Sequence, residues 1–181
     1  MSAESAAGLI QVKVDDVSQL FNTLDPAPFR ERDLDKDAEE FIVGWARELP
    51  QRQPIHIDIH VRDVPSQKLT PSQTREALNS YFAYREGGIS KDLKALFRVG
   101  RQSLVIGLSV LAICIVLSHA AKSLFGDGDL GSYMDEGLII MGWVANWKPI
   151  EIFLYDWWPL AQRRRLYRRL SEAQVQVRGR Q

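Results

Sequence analysis

Hydrophobic and polar residues follow two periods along the first ninety positions, and an unbroken apolar run replaces both after Arg101. From Leu9 to Val14 the residues alternate, with Ile10, Val12 and Val14 opposed to Gln11 and Lys13, which predicts a half-buried strand. Asp16 with Gln19 three positions on resembles a capping box, and Val17, Leu20, Phe21 and Leu24 fall at helical spacing. That helix should stop at Asp25-Pro26-Ala27-Pro28, which cannot continue it. A longer helix follows, with Leu34, Ala38, Phe41, Ile42, Trp45 and Leu49 as its apolar stripe. Pro54 to Val61 predicts a second strand, with Ile55, Ile57, Ile59 and Val61 on one face and His56, Asp58 and His60 on the other. Thr70-Pro71-Ser72-Gln73 opens another helix with a capping threonine and a proline at the first helical position. Leu78, Tyr81 and Phe82 supply its packing side, and Gly87-Gly88 reads as a hinge that ends it.

These elements spell β-α-α-β-α, a small α+β domain over residues 1–88. Two strands alone are marginal in water and leave two open edges, so the domain should need a partner against it.

Between Arg101 and Lys122 lie 20 residues without Asp, Glu, Lys or Arg, ten of them Leu, Ile or Val. A helix of about 20 mostly apolar residues spans the hydrocarbon core of a bilayer. A second run, Gly137 to Tyr155, is interrupted by Lys148, Pro149 and Glu151. Its eight Leu, Ile, Val and Phe favour insertion by roughly 2.4–4.8 kcal/mol, which Lys148 alone nearly offsets at about 2.5–3.5 kcal/mol. It should therefore cross only with help from the first span. The expected architecture is the α+β domain followed by a two-helix transmembrane hairpin over 89–159, with spans about 102–121 and 137–156 and a loop about 122–136. A basic tail, 160–181, follows.

Charge orients this hairpin. After Asp156 there are seven Arg against one acid, whereas Asp127, Asp129, Asp135 and Glu136 gather in the loop. The positive-inside bias then puts the N-terminal domain and the tail in the cytoplasm, and a re-entrant second segment would violate it. The N-terminus has neither a basic leader nor an apolar core, so the first span is expected to act as its own targeting signal. The whole chain has a formal net charge of zero, which offers no global attraction for nucleic acid. Cys114, alone and mid-span, can form no intramolecular disulfide.

Four clusters carry possible chemistry. Gly100, Ser103, Gly107, Val110, Cys114 and Ala121 recur near a 3.5-residue period and are mostly small, a face on which helices approach closely in lipid. Lys148 and Glu151, one helical turn apart, form an intramembrane polar pair that either neutralises itself structurally or relays ions or protons. Trp157 and Trp158 with Arg163, Arg164 and Arg165 read as an interfacial anchor, and the tail from Pro159 to about Ala173 as a helix lying on the anionic leaflet. RRRLYRR read as a nucleic-acid patch is weakened by its place beside a span. His56, Asp58 and His60 share ligand types with zinc sites. Successive positions on that face lie about 7 Å apart, too far to converge on one ion, so a solvated face is expected and no metal or cofactor. Asp33, Asp35, Asp37, Glu39 and Glu40 likewise read as a solvated face matched to the helix dipole.

The stretches DLDKDAEEFIVGWARELP and KPIEIFLYDWWP resemble segments of small, uncharacterised bacterial inner-membrane proteins with a cytoplasmic N-terminal region and two closing spans. The resemblance implies a multi-pass protein of the inner membrane and carries over no catalytic motif. The leading expectation is a non-enzymatic adaptor or scaffold that presents its cytoplasmic domain to a membrane-protein partner or a second copy. An oligomeric ion or proton conductor using Lys148 and Glu151, with His119, is the alternative. A membrane-bound hydrolase using His56, Asp58 and His60 is the weakest reading.

Overall fold

A computed structural model describes residues 8–22, 33–51, 53–62, 69–125 and 128–179. They divide into two compact units, Met1–Ile89 with Gln162–Gln181, and Ser90–Ala161.

The first unit is built on three parallel strands. β1 (Gly8–Lys13) pairs with β2 (Ile55–Val61), and β2 pairs with β3 (Gln174–Gly179), in the order β1-β2-β3. β3 is the decisive addition. The expected β-α-α-β-α domain with two strands and a two-helix hairpin is not what forms, because the C-terminal tail supplies the third strand. Val175 and Val177 alternate with Gln174, Gln176 and Arg178, and parallel pairing on β2 leaves β2 with no open edge. Parallel neighbours need a long crossover. Here the crossover from β2 to β3 holds the whole second unit.

Between β1 and β2 the predicted first helix is only a single 3₁₀ turn, Val17–Leu20. Its capping signal is real, since Asp16 Oδ1 accepts from Ser18 N at 2.7 Å and Gln19 Oε1 from Asp15 N at 3.1 Å. The chain then departs to an isolated antiparallel bridge, Phe21 with Leu34. The Asp25–Pro28 stop lies outside the described residues.

Helix α1 (Lys36–Glu48) is capped by Asp35, which accepts from Asp37 N at 3.0 Å. Its buried side chains are Ile42, Val43 and Ala46, whereas Phe41 and Trp45 stand 45% and 50% exposed. The stripe is thus rotated from the predicted one, leaving two large rings outside the core.

Helix α2 (Pro71–Phe125) starts on the predicted capping box. Thr70 N donates to Gln73 Oε1 at 2.9 Å, and Gln73 N to Thr70 Oγ1 at 3.3 Å. It runs through Gly87-Gly88 without a break, so the expected hinge is absent. A helical glycine costs about 1 kcal/mol relative to alanine, too little to interrupt a long helix anchored on both sides. The unit boundary nevertheless falls just beyond, at Ile89.

Helix α5 (Trp157–Ser171) ends in the first unit, where Tyr167 and Leu170 are fully buried beside Phe82, Leu78, Ile57 and Val175. The tail is therefore a core element and not a helix laid on a lipid surface. Arg75 Nε on α2 donates to the Val175 carbonyl at 3.2 Å, and Arg169 Nη2 donates to the Pro50 and Gln53 carbonyls, fixing β3 and α5 in place.

The second unit is helical. α3 (Asp129–Val144), α4 (Trp147–Glu151) and a π-helical turn (Ile152–Asp156) lead into α5. The expected second helix over 137–156 is thus broken, at Ala145-Asn146 and again at the π turn. Pro149 has no N–H to donate, and the turn at Asn146 places it inside the first turn of α4, where none is needed. Only α2 among the described elements is long and apolar enough to cross a membrane.

Candidate functional site

In the first unit the most organised polar cluster centres on Glu39 of α1. Tyr167 Oη donates to its Oε1 at 2.7 Å and Tyr81 Oη to its Oε2 at 2.8 Å. Arg85 donates to Oε1 through Nε at 3.1 Å and Nη2 at 2.9 Å. The Arg85 and Arg163 guanidiniums lie 5.8 and 5.6 Å from the Tyr167 ring centre, and Arg164 pairs with Glu86. One carboxylate thus joins α1, α2 and α5. Burial works to raise its pKa, but the bonds from Tyr167, Tyr81 and Arg85 outweigh it and hold Glu39 below the ordinary glutamate value. Burial and then Glu39 raise the Tyr81 pKa. With every donor aimed at one acceptor the cluster is a clasp, with no group free to act as acid or base.

The second ordered feature is the sheet face opposite the core. Register aligns Leu9, His56 and Gln174 in one row, Gln11, Asp58 and Gln176 in the next, and Lys13, His60 and Arg178 in the third. Asp58 is buried among these neighbours, with Arg178 Nε 3.7 Å away. His56 and His60 flank it along β2, and among the described residues no group of three or more His, Cys, Asp or Glu is placed to hold a metal ion. Beside this face, Leu9, Gln11, Lys13, Phe41 and Trp45 line an open cleft of about 510 Å³.

In the second unit, Gly100, Gly107, Cys114 and Ala121 are buried and Ser103 is half-buried, together with buried Ser118 on the same face. A Cβ on Gly100 would lie 2.9 Å from Ile152 Cγ2, and one on Gly142 would lie 3.3 Å from Cys114 Cβ. A Cβ on Gly107 would lie 2.7 Å from Asn146 Oδ1 and 2.9 Å from the Ala145 carbonyl. Asn146 Nδ2 donates to the Gly107 and Gly142 carbonyls at 3.1 and 3.0 Å. The helix break and the small-residue face therefore meet at one hydrogen-bonded contact. Sequence reasoning passed over Asn146, although a lone amide in an apolar run signals such a bond.

Lys148 Nζ donates to Glu151 Oε2 at 3.0 Å, and Asp156 Oδ2 lies 3.5 Å from the same nitrogen. Lys148 and Glu151 are outward-facing, at 59% and 43% side-chain exposure. Ile152 and Phe153 lie against Gly100, so the pair sits near the Arg101 end of the apolar stretch. At the other end Asp135 accepts from Ser118 and pairs with Lys122. His119 Nδ1 faces the Ile115 carbonyl of its own helix. The Trp157 and Trp158 rings stack at 6.2 Å, and Trp157 Nε1 donates to the Phe153 carbonyl. Arg163 and Arg164 belong to the first unit's clasp, and Arg165 is exposed.

Comparison with known protein families, curated proteins and solved structures finds no match to this chain.

Proposed function

We propose that the chain is a non-enzymatic integral membrane protein that presents its α/β unit as an adaptor or scaffold beside a bilayer. The observation that carries the reading is the closure of one sheet by both ends of the chain. β2 precedes the apolar stretch of α2, β3 follows it by the whole helical unit, and the two strands pair. If the stretch crosses a bilayer, the chain must cross again before β3, so the number of crossings is even. The broken run from α3 into α5 is then the return, and the protein is multi-pass with both ends of the α/β unit on one side.

Two further observations support this. Only 22% of the most apolar window of α2 is buried within the chain, whereas the core helix of a soluble protein is mostly buried. Lys91, Lys94, Arg98 and Arg101 precede the stretch and Arg163 to Arg165 follow the return, which favours the cytoplasmic side for the α/β unit. The resemblance noted above favours a bacterial inner membrane. The Lys148–Glu151–Asp156 cluster then lies near the cytoplasmic boundary, where it suits anchoring better than conduction.

Reporter fusions test the reading. A reporter after Gln181 is expected to be active only in the cytoplasm and one at Gly128 only outside, with the chain resisting extraction by alkali. Release by alkali, or equal activity of both reporters, would sink it.

A further inference from the structure

The open face of the sheet is not uniformly polar. Its third row, Lys13, His60 and Arg178, sets three basic side chains in register across all three strands, within roughly 10 Å at the ordinary strand spacing. Like charges placed opposite one another on a sheet weaken it, so the row contributes nothing to the fold by itself. It also lies at the carboxyl ends of the parallel strands, where open α/β sheets bind their ligands. Only one carboxylate, Asp58, shares the face, and it is buried and already faced by Arg178.

Lys13 lines the neighbouring cleft as well, whose opposite wall is Phe41 and Trp45, their rings 6.2 Å apart and half exposed. One site therefore offers cations at one end and two aromatic faces at the other, along an edge strand six residues long. A partner that satisfies both must alternate acidic and apolar side chains in extended form, since successive residues of a strand face opposite ways.

We propose that this face and cleft bind an extended, acidic and apolar peptide segment of a partner protein, with Lys13, His60 and Arg178 holding its carboxylates and Phe41 and Trp45 its apolar side chains. The inference rests on the adaptor reading and gives that adaptor its docking surface. A membrane headgroup offers negative charge too, but not side chains spaced to enter the cleft beside β1.

The test uses the full chain in phosphatidylcholine nanodiscs and two labelled hexapeptides, one alternating Glu and Leu, the other Lys and Leu. The Glu–Leu peptide is expected to bind at least about tenfold more tightly, and added salt should weaken it. Lys13→Glu and Arg178→Gln should each weaken it several-fold, as should Trp45→Ala. All three positions are exposed, and an unchanged thermal transition will show that the variants fold. Equal binding of the two peptides, or undiminished binding by Lys13→Glu and Trp45→Ala, would overturn the proposal. Displacement of the peptide when phosphatidylglycerol replaces phosphatidylcholine would assign the face to lipid and also overturn it. If the chain resists alkali but the peptide does not bind, the docking surface alone fails; if alkali releases the chain, the adaptor reading fails.

Discussion

In the α/β unit the residues withdrawn from solvent are Ile10, Ile57, Leu78, Phe82, Tyr167 and Leu170, and the surface carries most of the charge. In the helical unit Gly107, Cys114, Ser118, Ala121 and Asn146 are buried, while Val105, Ile106, Val116, Ile140 and Trp143 face outward. One region hides large apolar side chains and the other displays them. In water the first arrangement follows from the hydrophobic effect, worth about 25 cal/mol for each Å² of apolar surface buried. In lipid that driving force between helices vanishes, and close packing of small residues with a few hydrogen bonds replaces it. The inversion is thus the pattern expected of one chain folded against two solvents. The same substitution should have different consequences in the two units, and that difference can be measured.

The largest effect is expected at Leu170. Its side chain is fully buried in the α/β core although it comes from the far end of the chain. Leu170→Asp buries an unpaired carboxylate and removes the packing that holds α5 and, through it, β3. A loss of at least about 3 kcal/mol is expected, on the scale of a large core deletion. Hydrogen exchange should show β2 unprotected, with α3 and the apolar part of α2 unchanged. Equal loss of protection in both units would show that they do not fold as separate bodies.

Glu39→Gln comes next. It removes the charge from the clasp while keeping its shape, weakening the charge-assisted bonds from Tyr81, Tyr167 and Arg85. Such bonds contribute roughly 1.5–3 kcal/mol each when intact, so a loss of about 2 kcal/mol is expected. Because the folded pKa of Glu39 lies below its unfolded value, its contribution is present above the unfolded value and is lost as pH falls through the folded one. The wild-type α/β unit should therefore weaken on acidification below the ordinary glutamate range. Thermal denaturation of the variant should lack that part of the acid dependence, and identical acid profiles would remove the clasp from the account of stability.

The strands β1 and β2, the Thr70 cap, the long apolar stretch and the small-residue face were all legible in the sequence, because each is a local pattern. Alternation at Ile10 and Val12, or a threonine three residues before Gln73, needs no knowledge of the rest of the chain. What escaped was non-local. β3 is a short alternation, Val175-Gln176-Val177, following an arginine-rich helix that reads equally well as a membrane-surface tail. Only its parallel register on β2 decides between them. Glu39 escaped for the same reason. An acidic residue near a helix N-terminus is ordinary, and its three donors come from positions 42, 46 and 128 residues away. The expected Gly87-Gly88 hinge failed differently, since local propensity there was overridden by the packing of Phe82 and Ile89 on one side and the continuing helix on the other.

The smallest effect sharpens the contrast most, because it is one substitution with two signs. At Gly88 an added Cβ would meet nothing within 4 Å, and the residue lies inside α2. Gly88→Ala should therefore stabilise the chain by about 0.5–1 kcal/mol, the difference in helical propensity, with part of the gain coming from a less flexible unfolded state. Gly107 lies in the same helix, yet there the new carbon would stand 2.9 Å from the Ala145 carbonyl, a backbone atom that cannot turn aside. The propensity gain is the same, but α2 must move away from the turn and stretch the Asn146 bonds to Gly107 and Gly142. Overpacking of this kind costs about 1–3 kcal/mol, so the net sign reverses. Thermal denaturation of the two variants in one detergent measures both. Stabilisation by Gly107→Ala would mean that α2 and the Asn146 turn are not in close contact, and the packing account of the helical unit would fall with it.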